Sequence, residues 1–291
     1  MRAMTLLDAA LRICSSQGAD TPGWSFDPWV LGPLALSATL YVLGTMRLWR
    51  RAGLWRGISF WQALAYAAGW LVLATALLSP LHWSLEHLFA LHMAEHELLM
   101  AVAAPLIALS CPVGAFLWAL PKKVRTDFSR VLRSGVLRAV WKFITRPHVA
   151  TILHGVAIWV WHLPGAFDAA LFDVALHRLQ HLSFFATALI FWWSLIRRSN
   201  PGAAAGHLFI TIVHTSVLGA LLALAPRVLY PLQASFATAW GLTPLEDQEL
   251  AGLIMWVPAG TIYAGAALGL LGLWVARCGR LLGPGHALAR A

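Results

Sequence analysis

The chain has 291 residues, 59% hydrophobic and only 11% charged, with a mean hydropathy of +0.70. Soluble domains carry about 25% charged residues, so this composition excludes a soluble globular protein and reads as an all-α polytopic membrane protein. The net charge of +9 marks loops beside anionic lipid, and the lipid bilayer rather than nucleic acid is the expected partner.

The N-terminal stretch Met1 to Ser16 has a short apolar run interrupted by Asp8 and Arg12, with no convincing cleavage site, so it is expected to be retained as an interfacial helix. Asp27-Pro28 has the form of an N-cap followed by proline at the first helical position, and the run Val30 to Trp49 is long enough to cross a hydrocarbon core of about 30 Å. Arg47, Arg50, Arg51 and Arg56 follow, then a second apolar run from Phe60 to Leu78 that stops at Ser79-Pro80. The loop Leu81 to Leu91 holds His82, Glu86 and His87. A third span is predicted from His92 to about Trp118, kinked by Pro105 and Pro112.

Residues 122–146 carry Lys122, Lys123, Arg125, Arg130, Arg133, Arg138, Lys142 and Arg146 among apolar residues, the pattern of an amphipathic segment on a membrane surface. The fourth span, His148 to Leu163, ends at Trp161-His162-Leu163-Pro164, and Gly165 to Ala175 forms a loop or short helix with Asp168 and Asp173. The fifth runs from His177 to Arg197-Arg198. After a connector from Asn200 to Gly206 comes the sixth, His207 to Ala225. Thr243-Pro244-Leu245-Glu246 has capping-box form and starts the seventh, which continues to Val275.

Seven spans sort the charges. Of the 21 Lys and Arg, all but Arg2, Arg12, Arg178 and Arg227 fall on one side. The positive-inside rule then puts the N-terminus and residues 1–27 outside, in the periplasm, with the basic 122–146 segment and the C-terminus in the cytoplasm. No fixed-period repeat divides the chain, so residues 1–291 are read as a single domain. Cys14, Cys111 and Cys278 lack the spacing of a disulfide framework or zinc site.

The chemistry-bearing residues gather at the outer ends of spans. His92 and His96 share one helix face, and Met100 continues that stripe one turn further. His177 and His181 repeat the spacing on another span. Neutral imidazoles from two such pairs could converge on a metal, and the thioethers of Met93, Met100 and Met255 favour Cu(I). A hydrated polar mouth and methionines as core filler are the plain alternatives. Glu95, Asp168 and Asp173 lie beside these pairs. Asp247 has no local capping explanation and could bind a cation or orient a ligand histidine. Gly252 would permit close helix packing and Pro258 a bend. His154 and His214 lie deeper, and a structural or a functional role fits them equally. HExxH, GxSxG and phosphate-binding glycine loops are absent from the sequence, so no enzyme is expected.

Several of these residues also carry a family resemblance. They are His92-Met93-x-x-His96-x-Leu98-Leu99-Met100 with Ala104-Pro105, Trp161-His162-Leu163-Pro164 with Asp168, His177-x-x-Gln180-His181 with Phe191-Trp192-Trp193, and Asp247-Gln248 leading to Trp256-Val257-Pro258. In these the chain resembles the CtaG family of bacterial cytochrome c oxidase assembly factors. The resemblance implies a multi-pass protein of the bacterial plasma (inner) membrane that helps build a haem-copper oxidase. Its partners would be oxidase subunits or other copper-handling assembly proteins. One departure is Glu95, where glutamine is expected in many relatives.

The leading expectation is a copper-binding assembly factor. Its candidate ligands are His92, His96, His177 and His181, with Met93, Met100, His162 or Asp247 contributing, and Glu95, Asp168, Asp173 and Met255 around them. A haem-b redox protein is the alternative, since His148 and His162 lie about 21 Å apart along a helix. A copper or proton transporter using His154 and His214 is another.

Overall fold

The structure is a computed structural model that describes residues 23–80, 82, 87–132 and 134–281. The predicted helix at Met1 to Ser16 and the predicted outer segment up to residue 22 lie outside the described residues, as do Glu86, Arg133 and Arg290. The described chain is all-helical. Helix α1 spans Pro28–Ala52 and α2 Phe60–Leu78. Helix α3 covers Phe89–Leu109 and α4 Pro112–Ala119. Two short helices, α5 (Lys122–Leu132) and α6 (Gly135–Ile144), lead into α7 (Pro147–Trp161) and α8 (Pro164–Phe172). The rest is α9 (Val174–Arg198), α10 (Pro201–Ala223), a 3-10 turn at Gln233–Trp240, and α11 (Pro244–Leu281).

Six of these helices are long and apolar enough to cross a membrane, and there are seven spans if the bent pair α7 and α8 counts as one. The bend is 73°. Its cause is local: a residue before proline is pushed out of the helical region, and Leu163 precedes Pro164 with extended backbone angles. The 15 residues of α7 rise only about 22 Å, so His162 sits at an elbow inside the bundle.

Several predicted boundaries move, among them the start of the third span, at Phe89, and the end of the last helix, at Leu281. The third span ends at Leu109, because the helix breaks at Ser110 and Cys111, with Cys111 in the left-handed region (φ 56°). Pro112 then starts the separate helix α4 instead of kinking α3. The connector from Asn200 to Gly206 is helical, with the Asn200 side chain capping α10 through the amide of Ala203. The fifth helix starts at Val174, with Asp173 as its N-cap. The predicted capping box of α11 is present: Glu246 accepts from the amide of Thr243 (2.7 Å) and Thr243 from that of Glu246 (3.3 Å).

Helix α3 is the central element. In its apolar window 67% of residues are buried, against 39% or less in the other five single-helix spans. It is not a uniform helix, since Leu98–Ala103 forms a π-helical stretch between two α-helical pieces. Pro105 explains it: proline has no N–H, and its ring would clash with a carbonyl one α-turn back. The amide of Ala104 reaches back to Leu99, which leaves the carbonyl of Met100 to pair with Pro105, and Pro105 cannot donate. The indole Nε1 of Trp192 on α9 donates to that carbonyl instead, at 3.0 Å.

Helices α10 and α11 pack closely through small residues, as the sequence anticipates at Gly252. A Cβ there would lie 2.5 Å from the carbonyl oxygen of Gly219. Pro258 lies inside the unbroken helix α11. The basic segment 122–146 forms α5 and α6, and α6 has no buried residue.

Candidate metal centre

Two helices bring the first ligands together. On α3 the rings of His92 and His96 are 4.5 Å apart between centroids, and on α9 those of His177 and His181 are 4.4 Å apart. Both follow from i, i+4 spacing. Tertiary packing adds the contact across helices, with His96 5.2 Å and His92 6.0 Å from His181. His92, His96 and His181 each offer a ring nitrogen such that all three lie within 4.8 Å of one another, close enough to hold a metal ion. His177 stacks on His92 at 5.6 Å, on the edge of this triad and outside it.

The triad lies in the protein interior, with His92 and His96 each 1% exposed and His181 9%. Among the described residues, neither ring nitrogen of His92 or His96 has a hydrogen-bond partner, and Nε2 of His177 and of His181 has none. Buried polar atoms are almost always satisfied, and leaving one unmade costs about 1–3 kcal/mol. Several orphans converging on one point fit a group of imidazoles arranged for a cation.

The elbow supplies a fourth imidazole. His162, 6.3 Å from His96 between centroids, donates from Nδ1 to the carbonyl of Ile158 at 2.7 Å. That bond sets the tautomer, so in the neutral ring Nε2 carries a lone pair. It faces the sulfur of Met93 at 3.4 Å, and both groups are buried. A nitrogen and a thioether sulfur thus present lone pairs side by side, a mixed donor set suited to a soft ion. Tyr230 holds the elbow from outside the spans, its hydroxyl donating to the carbonyl of His162 at 2.5 Å. Burial, with Asp168 nearby, pushes the Tyr230 phenol up to about 12, so it remains a donor at physiological pH.

The remaining predicted residues divide by what they touch. Glu95 is fully buried, 3.9 Å from His181 Nε2 and 3.1 Å from His82 Nδ1. His82, read from sequence as a loop residue beyond the span, therefore joins the site's surroundings through Glu95. Asp247 accepts the amides of Phe89 and Ala90, both at 2.9 Å. It caps α3, whose own N-cap residue, Leu88, has no side chain able to do so. A carboxylate without a local cap role is thus a cap for a helix 158 residues away in sequence. Asp173 is exposed and accepts the amides of Ala175 and Leu176 at the start of α9. Asp168 has a buried carboxylate oxygen with no hydrogen-bond partner among the described residues. Met255 is buried in the apolar core of α11. Met100 is buried in the same core, and the π-helical stretch starting at Leu98 interrupts the α-helical stripe drawn through His92 and His96.

Two residues were not picked out as site members by spacing. Gln180 is 1% exposed with neither side-chain atom hydrogen-bonded among the described residues, and it lies between His177 and His181 on α9. Glu97, 7% exposed, follows His96 in sequence inside an apolar span, one position round the helix and so on a different face. A charge at that depth was the available signal.

No curated protein and no solved structure matches the chain. The family described as cytochrome c oxidase caa3 assembly factor (Caa3_CtaG) matches residues 39–277, which include every histidine of the site. An assembly-factor family implies a non-catalytic role for a membrane protein with a buried histidine triad. The chain belongs to the cytochrome c oxidase caa3 assembly factor family.

Proposed function

We propose that this protein binds Cu(I) for delivery to a haem-copper oxidase during its assembly. The triad of His92, His96 and His181 would be the core of the site, with His177 on one flank and His162 with Met93 on the other. The observation that carries the metal's identity is the His162 to Met93 pair: a nitrogen lone pair fixed by the Ile158 carbonyl, 3.4 Å from a thioether. Soft sulfur with imidazole selects Cu(I) over harder ions. Met100 and Asp247 remain members of the proposed wider ligand set. Glu95, Asp168, Asp173 and Met255 tune or support it.

The same reading places the chain as one domain, residues 1–291, in the bacterial plasma membrane. Residues 1–27 and the histidine cluster face the periplasm, and the C-terminus faces the cytoplasm. The distribution of Lys and Arg supports that orientation. Helices α5 and α6 would lie on the cytoplasmic leaflet. Their basic residues fit anionic headgroups, and the exposed Val136, Leu137, Val140 and Phe143 fit the acyl boundary. Oxidase subunits or other copper-handling proteins would dock at the outer face.

Purified protein loaded anaerobically with Cu(I) and analysed for metal tests the proposal. Copper should be retained by the native chain and lost from this site in the double variant His96→Ala, His181→Ala. Unchanged copper content in a folded double variant ends it. A stoichiometric Soret band in the absorption spectrum would replace it with haem b.

A further inference from the structure

His82 stands between the histidine cluster and the protein surface. It lies just past the end of α2, its amide donating to the carbonyl of Ser79 at 2.8 Å, and its side chain is 18% exposed. It is also within electrostatic reach of His92, His177 and His181. The triad beyond it is buried. An ion bound there has left water for an apolar interior, which is costly unless ligands accompany it on the way.

Glu95 links the two. A carboxylate only accepts, so Nδ1 of His82 donates to Oε1 of Glu95, at 3.1 Å. The other oxygen, Oε2, lies 3.9 Å from Nε2 of His181, which belongs to the triad. Two atoms that each bind one ion at about 2 Å lie at most about 4 Å apart. Both separations meet that limit, so one ion can be shared first by His82 with Glu95 and then by Glu95 with His181. Carboxylate is a hard donor that holds a soft cuprous ion weakly, while its charge offsets that of the ion inside the protein. Those properties suit a passing contact.

We propose that His82 and Glu95 form an entry site through which Cu(I) passes to and from the buried triad. At the mouth the ion replaces the hydrogen between Nδ1 and Oε1, and the ring takes a proton from water on Nε2 as it gives up the one on Nδ1. Glu95 then bridges the ion to His181 before His82 lets go, with no change of oxidation state. This inference rests on the copper reading of the triad and adds the route to it. Its signature is kinetic: an imidazole that touches the ion only along the route changes the rates of loading and release by one factor and leaves their ratio, the affinity, alone.

The test is stopped-flow transfer of Cu(I) between the purified full chain in detergent and a colorimetric cuprous chelator, in both directions. His82→Asn keeps an amide donor for Glu95 and removes the imidazole. It should bind as much copper as the native chain, with native affinity, and load and release it at least tenfold more slowly. His148→Asn, at the exposed start of α7, should exchange copper at the native rate. Native rates in His82→Asn overturn the entry site, as does an affinity lowered through faster release alone, which would make His82 a support for Glu95. Native copper binding that is lost in His96→Ala, His181→Ala, combined with native rates in His82→Asn, overturns the entry site and leaves the triad standing. A native chain that binds no copper, or a folded His96→Ala, His181→Ala variant that keeps it, removes the triad and the entry site together. If His82→Asn does not elute as a folded, monodisperse protein in size exclusion, His82→Gln replaces it under the same criteria.

Discussion

His162 holds its Nδ1 proton on the carbonyl of Ile158 and turns its Nε2 lone pair to the sulfur of Met93, 3.4 Å away. The pair joins the elbow between α7 and α8 to the start of α3, and it adds sulfur to a cluster otherwise made of nitrogen.

Replacing Met93 by leucine removes that sulfur at nearly constant volume, a swap that costs less than about 1.5 kcal/mol of stability. Cu(I) affinity should fall about tenfold or more, while Zn(II) affinity stays near the native value. Competition titrations with each ion check this. Equal losses for both would show that Met93 acts by packing alone.

Glu95→Gln keeps the shape of the side chain and removes its charge beside His181 and His82. Partners that orient a ligand histidine are worth about 10–100-fold in metal affinity. The expected result is a folded protein with copper bound more weakly by a factor in that range. A purified variant with native affinity would make Glu95 irrelevant to the site.

Asp247→Ala strips α3 of the carboxylate that accepts the amides of Phe89 and Ala90. Losing an N-cap costs about 0.5–2 kcal/mol, and this one is buried, so the upper part of that range applies. Thermal unfolding in detergent should move to lower temperature. Because His92 lies in the first turn of α3, metal affinity should fall with it. Asp247→Asn, which retains one acceptor oxygen, should recover part of both.

Gly252→Ala places a methyl group where the backbone of α10 already lies, 2.5 Å from the Gly219 carbonyl. Overpacking of this kind costs about 1–3 kcal/mol. The variant should give less folded protein and a lower unfolding temperature. Gly260→Ala on the same helix, with nothing near its Cβ position, should match the native chain.

The membrane class, the apolar runs and the i, i+4 pairs His92 with His96 and His177 with His181 were legible in the sequence. Hydropathy and helical periodicity are local properties, and a spacing of four residues puts two side chains on one face wherever a helix forms. The capping box at Thr243 was legible for the same reason. The π-helical stretch before Pro105, the helix break at Cys111 and the helical start of α10 shifted elements by a turn or more, because boundaries depend on which buried groups find partners.

Which pairs meet was decided by tertiary packing. Nothing local shows that the α3 and α9 pairs converge, that His162 stands at a 73° bend beside Met93, or that His82 reaches Glu95. Asp247 is the clearest case, since its purpose is to satisfy two amides at the start of a helix 158 residues away in sequence. Sequence spacing places side chains on a face of their own helix, and only the packing of helices against one another places two faces together.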